Sequence, residues 1–140
     1  MKVKLVTVCW GKKCKFVVNE IRVTKIADEV FMIFVGLKEP KYVDVLGYGW
    51  DENDNFHIDI YPEERTESVH GCLELVLVPE NEEEKKVLDY PAVLYWCDKY
   101  GCRIILMSWG KEAEFYKQSK IVECIEQKIV RRCIPNEQKG

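Results

Sequence analysis

The sequence predicts an α+β fold: a single domain whose N-terminal half builds a mostly antiparallel sheet, with two or three helices packed on one face. Three observations carry this expectation. Through residue 79 the chain reads as short apolar runs, rich in β-branched and aromatic residues and broken by Gly, Pro, Asn and Asp. From Asn81 onward, capping residues and a helical period take over. The chain has 140 residues, 47% hydrophobic and 32% charged, which suffices for one buried core without staples.

The elements follow in order. "KVKLVTVCW" and "CKFVV" are two β-rich runs split by "GKK", a hairpin signal that sets Cys9 near Cys14 across the turn. Residues 19–37 fit a helical stripe, but "IRVTKI" and "VFMIFVG" around "ADE" suit two strands better. "YVDVLGYGW" and "FHIDIYP" are strands joined by "DENDN", and "GCLELVLVP" is a further strand closed by Pro79. Asn81 with Glu84 makes a capping box, and the acidic run "ENEEEKK" sits where a helix dipole favours it. Pro91 opens a second short helix, "PAVLYWCDKY", with Gly101 as its C′ residue. "CRIILMSW" is a strand. "KEAEFYKQSKIVECIEQKIVRR" (111–132) is the longest helix, with Phe115, Val122, Ile125 and Ile129 as its stripe. The domain is expected over 1–134, with 135–140 a flexible tail. There is no internal repeat and no interdomain linker.

Charge is uneven along the chain. Residues 1–50 carry nine basic and five acidic side chains, residues 51–90 three and thirteen, and residues 91–140 nine and six. Nothing resembles the concentrated basic stripe of a nucleic-acid binder. No apolar run is long enough for a membrane span, and the start is too interrupted for a secretory signal, so the expected location is the cytoplasm. Abundant Lys, Glu, Val and Ile fit a thermophile composition.

Seven cysteines are many for such a chain. Cys9/Cys14 and Cys97/Cys102 repeat a spacing of four intervening residues, a layout open to three readings. A zinc site would use all four thiolates. Local disulfides would close each turn. The favoured reading makes most of them small buried hydrophobes, Cys72, Cys97 and Cys124 in particular.

Other patterns are weaker. Asp51, Asn53 and Asn55 have calcium-loop spacing, but Phe56 and Pro62 stand where Gly and Glu are needed. His57 and Asp59 alternate on one strand and so share a face, which reads as the half-exposed polar side of an edge strand. P-loop, dinucleotide and serine-hydrolase motifs are lacking. The stretch 42–122, with Asp44 and Asp59 on adjacent strands followed by helix, strand and helix, resembles the restriction-endonuclease-like PD-(D/E)xK fold. That resemblance implies Mg2+ held by Asp44 and Asp59 and cleavage of nucleic acid, although Tyr61 occupies the place of the activating lysine. Tyr48 with Trp50, or Tyr95 with Trp96, would suit a binding surface.

The favoured expectation is a non-catalytic binding or assembly module, with a protein partner or self-association, no membrane and no cofactor. The alternatives are the Mg2+ nuclease, active or degenerate, with nucleic acid as its partner, and a module stabilised by zinc on Cys9, Cys14, Cys97 and Cys102.

Overall fold

The computed structural model describes residues 1–9, 18–37, 43–62, 71–98, 100–111, 131–132 and 134–135. The chain order is β1 (Lys2–Cys9), β2 (Val18–Ala27), β3 (Val30–Leu37), β4 (Val43–Trp50), β5 (Phe56–Pro62), β6 (Gly71–Val78), α1 (Glu82–Asp89), β7 (Pro91–Asp98), β8 (Gly101–Ser108), β9 (Arg131–Arg132) and β10 (Ile134–Pro135). The strands form two five-stranded sheets, ordered β1-β6-β5-β4-β10 and β2-β3-β8-β7-β9. All pairings are antiparallel except β10 with β4.

The expected α+β fold with two or three helices is therefore wrong. The chain is a mostly β protein with two antiparallel sheets and, among the described residues, one short helix. The error is clearest at 91–100. "PAVLYWCD" is strand β7, and Pro91 to Tyr95 are all buried. A strand buried on both faces loses its alternation and reads like a buried helix turn. Pro91 opens the strand, a position where its missing N–H is tolerated. Gly101 is not a helix cap but the first residue of β8, at φ +144°. A Cβ there would lie 2.1 Å from the Val35 carbonyl oxygen, so glycine is required by the close approach of β3. Of the helix expected at 111–132, residues 112–130 lie outside the described residues, and its last two, Arg131 and Arg132, are β9. The second run of the expected N-terminal hairpin, 14–18, lies outside the described residues except for Val18; β1 pairs with β6, and β2 lies in the other sheet.

The two-strand reading of 19–37 holds. β2 and β3 pair through Ala27 and Val30, joined by Asp28 and Glu29. Glu29 takes a left-handed backbone, φ 58°, and its side chain makes this turn a hub. It accepts from Ser108 Oγ at 2.8 Å and pairs with Lys86 at 2.9 Å, while Glu83 of α1 accepts from the Glu29 amide at 3.0 Å and from Lys25 at 2.9 Å. The Lys86 and Ser108 bonds hold the Glu29 carboxyl below its usual range, and the Lys25 and Glu29-amide bonds do the same for Glu83.

The core lies between the sheets. Phe31, Ile33 and Val35 of β3, Ile58 and Ile60 of β5, Leu73 and Leu75 of β6, and Ile104 and Leu106 of β8 face one another there. Val87 and Leu88 of α1 join the same cluster. The helix starts as expected, with the Asn81 side chain accepting from the Glu84 amide at 2.9 Å. Its reciprocal arm is displaced by one residue, since Glu84 accepts from the Glu80 amide rather than from that of Asn81. A second buried apolar layer, Val30, Ala92, Leu94, Ile105 and Met107, lies on the opposite face of the β3-β8-β7 sheet.

Candidate functional site

Two constellations combine polar or aromatic side chains in ways that packing alone does not require. The first is a cleft of about 840 Å³ at the end of the molecule that carries α1. Its wall is the inward face of β4 and β5. Tyr48 and Trp50 alternate on β4, and Trp50 pairs in register with Phe56. The three rings pack with centroids 5.4 to 6.1 Å apart, Trp50 meeting both others edge to face. The Trp50 indole N–H donates to the Leu88 carbonyl at 3.3 Å, which ties this wall to the end of the helix.

The opposite wall comes from chain ends. Tyr90 follows α1, and Trp109 follows β8. The Trp109 amide donates to the Tyr90 carbonyl at 2.8 Å, so the two are held side by side. Both remain open to solvent: Tyr90 is 76% exposed and Trp109 66%. Exposed rings beside a formed cleft mark a contact surface more strongly than single exposed apolar residues do. Asp54, Asp89 and Lys85 complete the lining with two carboxylates and one ammonium. Asp54 stands on the β4–β5 turn at φ 60°. That turn is fixed by Asp51, whose carboxylate accepts from the Asn55 and Asn53 amides at 2.9 and 2.8 Å. The Asn55 amide, then the Asn53 amide, holds the Asp51 carboxyl below its ordinary range. The "DENDN" segment is thus a side-chain-capped turn, as expected.

The second constellation is buried. Phe56, Ile58 and Ile60 point into the core, so His57 and Asp59 point to the other face of the same sheet. Glu74 pairs with Asp59 across β5 and β6, and joins them on that face. His57 Nδ1 lies 3.1 Å from Asp59 Oδ1, and both residues are fully buried. Glu74 is half-buried. Ligand atoms of all three lie within 4.8 Å of one another. Among the described residues, the buried His57 Nε2 has no hydrogen-bond partner. β4 brings no side chain here, because Gly47 and Gly49 pair with Asp59 and His57.

The sequence-predicted residues separate accordingly. His57 and Asp59 do touch, but β5 is a central strand between β6 and β4, not a half-exposed edge. Asp59 pairs with Gly47, while Asp44 lies toward the other end of β4, between Val43 and Val45, which pair with Pro62 and Tyr61. Among the described residues, two antiparallel sheets and one short helix do not show the strand–helix alternation that the nuclease resemblance implied. Cys97 and Cys102 are a cross-strand pair joined in a disulfide, Cα atoms 4.1 Å apart. Cys9 lies on β1 in the other sheet, and Cys14 lies outside the described residues, as does Cys124. Of the two aromatic pairs, Tyr48 and Trp50 line the cleft, whereas Tyr95 is buried in the core and Trp96 packs on the second apolar layer. Tyr90 and Trp109 were missed. Their only signal was position, each next to a chain-breaking Pro91 or Gly110 at the end of an element.

Comparison with protein-family models, curated proteins and solved structures returns no match.

Proposed function

We propose that this chain is a non-catalytic binding module whose aromatic cleft takes a basic side chain, arginine or lysine, from a protein partner. The observation that carries this is the pair of exposed rings, Tyr90 and Trp109, set over a cleft that Trp50 already lines. Aromatic faces attract cations and flat guanidinium groups. The surrounding charge favours the same ligand. Most of the cleft lining falls within residues 48–91, and residues 51–90 hold thirteen acidic against three basic side chains. Asp54 and Asp89 place two of those carboxylates in the lining itself. Large aromatics anchored by backbone hydrogen bonds are also the residues that dominate binding energy at interfaces.

The test is a titration of the protein with N-acetyl-arginine amide, followed by tryptophan fluorescence, with N-acetyl-glutamate amide as the control. Saturable quenching by the arginine compound is expected, weakening as salt is raised. Trp109→Ala should lower the apparent affinity about twofold to fivefold, the range of an exposed cation–π contact. Equal responses to the two compounds, or an unchanged titration in Trp109→Ala, would remove the proposal.

A further inference from the structure

We infer that His57, Asp59 and Glu74 form a binding site for one divalent transition-metal ion of the Zn2+ or Mn2+ class, separate from the aromatic cleft. The first argument is geometric. Three donor atoms no more than 4.8 Å apart always enclose a point within about 2.8 Å of all three. Zinc binds imidazole nitrogen and carboxylate oxygen at about 2.0–2.2 Å, so side-chain rotations of well under 1 Å close the site. The 3.1 Å between His57 Nδ1 and Asp59 Oδ1 is already close to the separation of two ligands on one ion.

The second argument is the unsatisfied nitrogen. If Nδ1 donates its proton to Asp59, Nε2 presents a lone pair that no group among the described residues takes up. If the proton sits on Nε2, a buried N–H lacks an acceptor. With the proton on Nε2, the Nδ1 lone pair faces the Asp59 carboxylate at 3.1 Å, and a cation held between the two is bound by both.

The third argument is placement. His57 and Asp59 are two apart on β5, and Glu74 is the register partner of Asp59 on β6. Both strands are paired on each side, β5 with β4 and β6, β6 with β5 and β1, so the donors stand on rigid backbone. Glu74, half-buried, is the side from which an ion enters. A mixed nitrogen and oxygen donor set suits Zn2+ or Mn2+ and excludes the all-oxygen preference of Mg2+ and Ca2+. Three protein donors leave at least one coordination position for a further ligand.

Two histidines make the test direct. Protein stripped with chelator is titrated with one equivalent of ZnCl2, and long-range 1H–15N spectra of the histidine rings are recorded. His70→Gln assigns the remaining ring to His57. One His57 ring nitrogen is expected to move to a metal-bound position at one equivalent. Glu74→Gln, at the half-buried member, should lower Zn2+ affinity about tenfold or more. An unchanged His57 ring overturns the inference, both when no zinc is taken up and when zinc binds elsewhere, as on cysteine thiolates. Unaltered affinity in Glu74→Gln overturns the assignment of Glu74.

Discussion

The outward side of β5 and the outward face of the β3-β8-β7 sheet are alike in burial and opposite in chemistry. On the β3-β8-β7 sheet the outward side chains Val30, Ala92, Leu94, Ile105 and Met107 are apolar, and Met107 is 0% exposed. On the β6-β5-β4 sheet the equivalent outward positions of β5 are His57 and Asp59, also 0% exposed. Burial of the first set is favourable in itself, at about 25 cal/mol per Å² of apolar surface. Burial of the second set is unfavourable unless every polar atom is paired, and His57 Nε2 is not. One face is therefore explained by stability. The other calls for a different explanation, which the metal site supplies.

The largest effect expected is on the apolar face. Met107→Ala should cost about 2–5 kcal/mol, read as a lowered urea midpoint at constant slope. A cost below about 1 kcal/mol would show that this layer is not packed as core. On the polar face, Asp59→Ala in metal-free protein should cost about 1–3 kcal/mol, because it strips the remaining partner from a buried imidazole. Between these lies the Cys97–Cys102 bridge. It closes a loop of six residues, and its reduction should lower stability by about 2 kcal/mol, measured as the change in urea midpoint with reductant.

The smallest effect concerns pH and the Glu29 hub. The Glu29 and Glu83 carboxyls are held below their ordinary range by Lys86 and Ser108, and by Lys25 and the Glu29 amide. A lowered folded value favours the charged form in the native state. Its contribution is thus complete above the unfolded carboxylate value and is lost as pH falls through the lowered one, below about pH 4.5. Glu83→Gln should flatten the acid side of the stability profile slightly, more at low salt than at high. An identical profile in the variant would show that the hub contributes nothing.

Local features were legible in the sequence where one residue type has one physical use. Asn81 caps α1, "DENDN" is the β4–β5 turn, and β-branched residues mark β2 and β3. The fold class was not legible, because the decisive segment is buried on both sides. In "PAVLYWCD" the outward residues Ala92 and Leu94 are as apolar as the inward Val93 and Tyr95, so no period distinguishes strand from helix. Long-range pairing was equally hidden. Nothing near Lys2–Cys9 announces Gly71–Val78 as its partner. The candidate sites were half legible. The i, i+2 spacing of His57 and Asp59 gave their contact, and "YGW" gave the Tyr48–Trp50 wall. Glu74, Tyr90 and Trp109 arrive from other elements, and only cross-strand register and chain ends bring them in.

The claim that β5 is polar on its outward face for function, not for stability, is tested most directly by replacing the pair together. The urea stability of a His57→Leu/Asp59→Leu double variant is compared with that of the metal-free parent. Apolar replacement of a buried, incompletely satisfied polar pair should leave stability equal or raise it by about 1–4 kcal/mol, while abolishing Zn2+ uptake at this site. A loss of several kcal/mol would contradict the account and make His57 and Asp59 structural members of the sheet.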